Sequence, residues 1–343
     1  MANNNRIEWI DIAKFIGIIL VIFGHMETYN YSQINDEKYF LIKQFIFTFH
    51  MPLFLFLSGF VTKKKSILNT INDGIKQLII PYVMYSFLMI FYYLILSIIK
   101  KSFSLNNNVI RPLLGIFMGY SCSFADMLNG PLWFLLSLFF CKLLYSSLSD
   151  RKIFRYIELL LILIIGVFLT SYKIELPLSL STVFITFWFY YLGIIVRYSI
   201  LDKSIRGGAQ HRLICFFVGV ILMVMTFFIS KYTSIVDINH LIIGNFIFFM
   251  ISSLLGICGI CLISYAIKKM PKKLMVISTN TLLIMAIHIL IISSLKKVIN
   301  LLDFQYNSVV YIFLTIITLF VCYFIIQIKE VFYDKKRNNI YCN

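Results

Sequence analysis

Along the chain, long apolar runs alternate with short polar connections. A helix crosses a hydrocarbon core of about 30 Å with roughly 17 to 25 apolar residues. Runs of that kind are read at residues 7–27, 40–62, 76–99, 131–148, 153–171, 179–198, 211–230, 241–266, 275–295 and 308–328. Backbone polar groups inside a bilayer must be satisfied within the segment, so each run predicts a helix. The expected fold is all-α: a polytopic membrane bundle of about ten helices, forming a single integral membrane domain over residues 1–343 with no appended soluble domain.

The first two runs break the apolar pattern in an ordered way. In WIDIAKFIGIILVIFGHM the interruptions are Asp11, Lys14 and His25. At about 100° per residue, the steps from Lys14 to His25 sum to about 1100°, some 20° from three full turns, and those from Asp11 end about 40° away. All three therefore share one helix face. With a rise of about 1.5 Å per residue, Lys14 and His25 stand about 16 Å apart, roughly half the hydrocarbon thickness. The second run, FTFHMPLFLFLSGF, carries His50 and Pro52. Ionisable groups inside a membrane are expensive and face a bundle interior or a water-filled cavity, which predicts a polar chamber built by these helices.

Composition settles the class. With 60% hydrophobic and 13% charged residues and a mean hydropathy of +0.88, the chain holds more apolar surface than a soluble fold can bury. The formal charge of +16 changes meaning once its placement is read. Of the 31 Lys and Arg, 20 fall in one set of alternating connections and nine in the other, which includes Lys43, Lys173 and Lys296; Lys14 and Lys142 lie inside runs. That asymmetry puts both termini in the cytoplasm of a multi-pass protein of the cell (inner or plasma) membrane. The charge is then a topology signal with affinity for anionic membrane lipid, and no nucleic-acid partner is expected. The first run lacks an A-x-A-like end and leads into further spans, so it reads as a retained helix.

Other features are weaker. Cys258-x-x-Cys261 sits in an apolar run with no second pair and reads as packing, and Cys122 is alone in an outer loop. The connection from Lys100 to Gly130 contains RPLLGIFMGY, too short to span, which reads as a re-entrant or interfacial segment or as plain loop. Asn129-Gly130-Pro131 marks a turn. Ser58-Gly59 reads as a close-packing pair rather than a nucleophile, and no Gly-rich phosphate loop or GxSxG elbow is present.

The candidate chemistry lies with the histidines. His25, His50, His240 and His288 fall in or beside the outer halves of helices, and His211 is the cytoplasmic exception. A single intramembrane histidine is commonly satisfied by a neighbouring helix. His25, His50 and His288 at similar depth point instead to one site, where imidazole, with a pKa near 6.5, can take a proton from a hydroxyl. A three-histidine zinc site is conceivable, but no H-E-x-x-H pattern supports it and no metal is expected. Asp11 and Lys14 can pair with each other; alternatively Lys14 holds a phosphate, or polarises a carbonyl, of an anionic donor arriving from the cytoplasm, where acyl carriers such as CoA are found. Lys63, Lys64 and Lys65 serve topology first and could also bind that donor.

Asp11-x-x-Lys14-x10-His25 and His50-Met-Pro-Leu-Phe-Leu-Phe-Leu-Ser-Gly59 resemble motifs of the acyltransferase-3 family of integral membrane acyltransferases. The narrower resemblance is to its fucose 4-O-acetylase-like branch, which lacks an extracytoplasmic hydrolase-like domain. Pro81, Pro131-Leu-Trp-Phe134, Tyr190-Tyr-Leu-Gly193 and the stretch from Ser278 to His288 add lesser matches in the same order. The resemblance implies a ten-helix bundle that uses cytoplasmic acetyl-CoA to O-acylate a carbohydrate. It also implies an essential histidine at His25, family positions at His50 and His288, and a donor-binding role at Lys14, where the family usually has arginine. Lysine lacks the planar bidentate fork of arginine.

The expected function is O-acetyl transfer from acetyl-CoA to a sugar hydroxyl of a cell-surface polysaccharide or its lipid-linked precursor. His25 would act as general base or transient acyl acceptor, Lys14 and Asp11 would organise the donor, and His50 and His288 would assist. The alternative is a glycan transporter or flippase that uses the intramembrane polar residues as a substrate or proton path. A sensor or structural membrane protein is a third reading.

Overall fold

The computed structural model describes residues 7–27, 36–201, 208–301 and 306–341. Within them the regular structure is helical: α1 (Glu8–Gly24), α2 (Glu37–Val61), α3 (Ile67–Gly74), α4 (Ile80–Ile99), α5 (Arg111–Met118), α6 (Trp133–Ser147), α7 (Lys152–Ser171), α8 (Leu180–Leu201), α9 (Ala209–Ser230), α10 (Phe246–Ala266), α11 (Lys272–Thr279), α12 (Thr281–Leu301) and α13 (Ser308–Tyr341). Nine helical runs among the described residues are long and apolar enough to cross a membrane. The remaining predicted span, the first in the chain, corresponds to α1, whose 17 residues reach about 26 Å at a rise of about 1.5 Å per residue. Large apolar side chains stand exposed along α7 and α9, among them Leu160, Ile164, Phe217 and Ile221. Such a surface is suited to lipid rather than water.

Three details differ from the hydropathy reading, each for a local reason. The run expected at 76–99 is part of a longer helical stretch, Ile67–Ile99. It starts where the Ser66 side chain accepts from the Asn69 backbone N–H at 3.4 Å. It passes through a π-helical turn, Ile75–Ile79, just ahead of Pro81, and widening the helix there accommodates a ring that has no N–H to donate. The run expected at 275–295 is broken at Asn280, whose side-chain amide donates to the Val276 carbonyl at 3.0 Å and closes α11 before α12 begins. The segment RPLLGIFMGY becomes α5, ended by Gly119 at φ +79°, a left-handed cap that glycine adopts without strain. The Arg111 guanidinium grips both oxygens of Asp126, at 2.7 and 3.0 Å, and ties α5 to the loop that follows it. Tyr82 donates to the Ile116 carbonyl at 2.6 Å. Among the described residues Cys122, Cys258 and Cys261 are free thiols.

The chain forms two compact units, divided within α2 between His50 and Met51 and within α10 between Ser253 and Leu254. In the first unit α1 packs on α11, α12 and α13, and α12 on α13. The start of α2 is tied to α9 by Gln44, whose amide donates to the Ser230 carbonyl at 3.0 Å. In the second unit α8 packs on α6 and α7, with the buried hydroxyls of Ser137 and Thr186 paired at 2.8 Å. The end of α2 meets α8 at backbone distance: a Cβ on Gly59 would lie 1.9 Å from the Tyr190 carbonyl oxygen, and one on Gly193 would lie 2.1 Å from that of Phe56. Gly59 is thus a close-packing residue, as the Ser58-Gly59 pair predicts.

Candidate active site

The first unit brings three imidazoles together from three helices. His25 caps the C-terminal end of α1, His50 lies in α2 and His288 in α12. The His25 ring meets that of His288 edge to face with centroids 5.2 Å apart, and that of His50 at 6.3 Å. Each Nδ1 lies against the carbonyl one turn earlier in its own helix: Val21 at 2.8 Å, Ile46 at 2.9 Å and Ile284 at 3.1 Å. A carbonyl only accepts, so a proton on each Nδ1 satisfies these bonds and leaves Nε2 as the free lone pair. The Nε2 of His288 is fully buried and makes no hydrogen bond to any described residue. His50 is buried and His25 half-buried, so His25 is the ring that solvent or a substrate can reach.

Phe47 packs beside two of these rings, 5.4 Å from His25 and 4.8 Å from His50. Gly24 makes room for it: a Cβ there would come within 2.8 Å of the Phe47 ring. A polar cap lies beyond. The Tyr39 hydroxyl serves the Phe23 and Gly24 carbonyls at 3.1 and 3.2 Å, orphan acceptors at the end of α1, and accepts from the Glu27 N–H at 3.0 Å. The Glu27 carboxylate is paired with Lys296 at 3.5 Å and accepts from the Tyr311 hydroxyl. Asp36, just before α2, accepts from both the hydroxyl and the backbone N–H of Ser308 at 2.6 Å. The Ser308 hydroxyl is the chief reason that the Asp36 carboxyl is held below its usual range.

Lys43 belongs to this cap, although the sequence reading placed it among the outer connections. It lies in α2 with 5% exposure, and its ammonium donates to the Glu27 main-chain carbonyl. The signal that could have found it is its spacing from His50, seven residues on one helix, which puts both about 20° apart around the axis.

Asp11 and Lys14 are not part of the histidine cluster. Asp11 is buried and Lys14 half-buried on α1, and unbroken helix separates Lys14 from His25 by about 16 Å. His240 is in the second unit, held by Glu175 at 3.0 Å, and His211 is exposed.

The second unit carries a cavity of about 290 Å³ at the end that the basic connections assign to the cytoplasm. Lys63, Lys65 and Lys142 line it, with Asp73, Thr70 and Gln77. Lys65 is paired with Asp73 at 2.7 Å. Lys64 is engaged elsewhere, with the Leu148 carbonyl at 2.8 Å and with Asp150 at 2.5 Å, and it holds the Asp150 carboxyl below its usual range. Lys63, Lys64 and Lys65 are the donor candidates that the sequence offers here, whereas Lys142 stands in the sequence only as a charge inside an apolar run. Among the described residues no group of three His, Cys, Asp or Glu side chains is arranged to hold a metal ion.

Similarity to known proteins agrees with this architecture. A family model described as an acyltransferase domain, Acyl_transf_3, matches residues 7–327. Two relatives named nodulation protein NolL are similar over a shorter stretch. That of Mesorhizobium japonicum is 37% identical over 84 residues, which is 23% of this chain and 22% of the relative. That of Sinorhizobium fredii is 36% identical over 84 residues, 23% of each. Less than a quarter of either relative's length is therefore matched. No solved structure matches the chain. Since the family match begins at the start of α1 and runs into α13, taking in all three clustered histidines, this chain belongs to the acyltransferase-3 family of membrane acyltransferases.

Proposed function

We propose that the protein is an O-acetyltransferase of the fucose 4-O-acetylase-like branch, acting in the cell membrane. It moves an acetyl group from acetyl-CoA to a sugar hydroxyl of a cell-surface polysaccharide or its lipid-linked precursor. The observation that carries this reading is the convergence of His25, His50 and His288, with every Nδ1 anchored on a carbonyl of its own helix.

In the proposed reaction the Nε2 of His25 takes the proton of the attacking hydroxyl as its oxygen bonds to the thioester carbonyl carbon. The tetrahedral adduct collapses by breaking the carbon–sulfur bond, and the proton on His25 passes to the departing thiolate. Sugar ester and free CoA thiol result, and the imidazole is regenerated. Burial of the site favours the chemistry, since a dry, low-dielectric environment strengthens every interaction with the developing oxyanion. His50 and His288 assist by fixing the environment of His25, and Asp11 and Lys14 organise the donor. The ammonium groups of Lys63, Lys65 and Lys142 suit the donor's phosphates, while Lys64 holds the loop at Asp150.

The test is transfer of labelled acetyl from acetyl-CoA to envelope glycan by membranes carrying wild type or His25→Ala at matched expression. The expected result is label on glycan with wild type and a loss of at least about 10²-fold with the variant. Undiminished transfer by His25→Ala would remove this histidine from the mechanism. Failure of transfer in detergent, with glycan movement in sealed vesicles, would favour a transporter.

A further inference from the structure

Removing an ammonium group from water inside a membrane bundle is costly, so a lysine buried there marks a functional position by default. Lys43 is such a residue, with 5% exposure. Its Nζ stands 5.3 Å from the centroid of the Phe47 ring and donates to the Glu27 main-chain carbonyl, just beyond the end of α1. The same Phe47 ring is 5.4 Å from the imidazole of His25 and 4.8 Å from that of His50. One aromatic side chain therefore packs against both a lysine ammonium and two of the three clustered histidines.

Two physical effects follow. The ammonium attracts the electron-rich face of Phe47 and holds that ring in place by a cation–π contact. Through the Glu27 carbonyl it also holds the chain that leaves His25, so both imidazoles are fixed by one group. In addition, a preorganised positive charge in a water-poor site stabilises negative charge developing nearby, and the tetrahedral adduct of acyl transfer carries such charge.

We infer that Lys43 is a positioning residue for the acyl-transfer step: through Phe47 and the Glu27 carbonyl it sets the orientation of His25 and His50 and supplies the positive field for the adduct. The inference rests on the proposed role of His25.

The experiment measures acetyl transfer by wild type, Lys43→Met, Lys43→Arg and His25→Ala. All four are compared at equal amounts of monodisperse protein, and their melting temperatures are recorded. Methionine keeps the length of the side chain and removes its charge, whereas arginine keeps the charge and stacks on an aromatic face. Lys43→Met is expected to lose about 10²-fold in kcat with the donor KM changed less than about twofold. Lys43→Arg is expected to recover most of that loss. Wild-type kcat in Lys43→Met, with His25→Ala inactive, would overturn the inference and leave the proposed function standing. Equal losses in Lys43→Met and Lys43→Arg, together with lowered melting temperatures, would reduce Lys43 to a structural peg and also overturn it. Full activity in His25→Ala would overturn the proposed role of His25 and the inference with it.

Discussion

His25 and His288 face each other edge to face with ring centroids 5.2 Å apart, the first at the C-terminal end of α1 and the second inside α12. Both spend Nδ1 on a carbonyl of their own helix, so what they turn toward the interior is an acceptor. For His288 that acceptor is buried without a partner among the described residues. An orphaned buried acceptor costs about 1 to 3 kcal/mol and persists where function needs it.

This sets function against stability at His288. Replacing it by leucine removes the orphaned acceptor and fills a similar volume, so His288→Leu is expected to melt at or above the wild-type temperature while acyl transfer falls by about tenfold or more. Thermal melting in detergent, together with the transfer assay, checks both. A variant that is less stable and fully active would contradict the account.

Glycine positions offer a graded packing test. A Cβ on Gly59 would lie 1.9 Å from a backbone oxygen, which cannot move aside, so Gly59→Ala is expected to abolish stable protein. At Gly24 the neighbour is the Phe47 ring at 2.8 Å, which can shift; Gly24→Ala is expected to cost about 1 to 3 kcal/mol and to disturb transfer through the ring beside His25. Nothing lies within 4 Å of a Cβ at Gly130, so Gly130→Ala should be neutral. Yield of monodisperse protein and melting temperature rank the three.

Asp36 predicts an acid-sensitive link between the start of α2 and the start of α13. Its carboxyl titrates below the unfolded value near 3.9 because the Ser308 hydroxyl stabilises the charged form. The contribution is therefore fully present above about pH 4 and is lost as pH falls through the lower, folded value. Ser308→Ala removes the main cause, so the folded value rises and acid-induced opening should begin at higher pH than in wild type. Hydrogen exchange at the start of α13 across an acid titration measures this, and coincident profiles would exclude the link.

The cavity lined by Lys63, Lys65 and Lys142 separates lysines that the sequence treats alike. Lys142→Met is expected to raise the acyl-CoA KM by about tenfold with kcat unchanged, since a hydrogen bond to a charged group is worth about 1.5 to 3 kcal/mol. Lys64→Met breaks a pair with the exposed Asp150 and should leave the KM within about twofold of wild type. Steady-state kinetics with varied acyl-CoA distinguishes them, and a KM effect at Lys64 alone would reverse the assignment.

Much of this architecture depends on properties that a single segment carries. The apolar runs forecast the helices because each span must satisfy its own backbone in lipid, and the face shared by Asp11, Lys14 and His25 follows from helical geometry within one segment. Tertiary structure decided what hydropathy averages away. It brought His288 of α12 against His25 of α1, a pairing set by how helices rotate and pack. It drew Lys43 out of an outer connection into the buried cap of Glu27 and Tyr39. It also separated Lys63 and Lys65, at the cavity, from Lys64, bound to Asp150. The physical reason is range: hydrogen bonds along a helix and the transfer of side chains into lipid are local. Which face of one helix meets another depends on shape complementarity at residues such as Gly24 and Phe47, and that is a property of the packed unit.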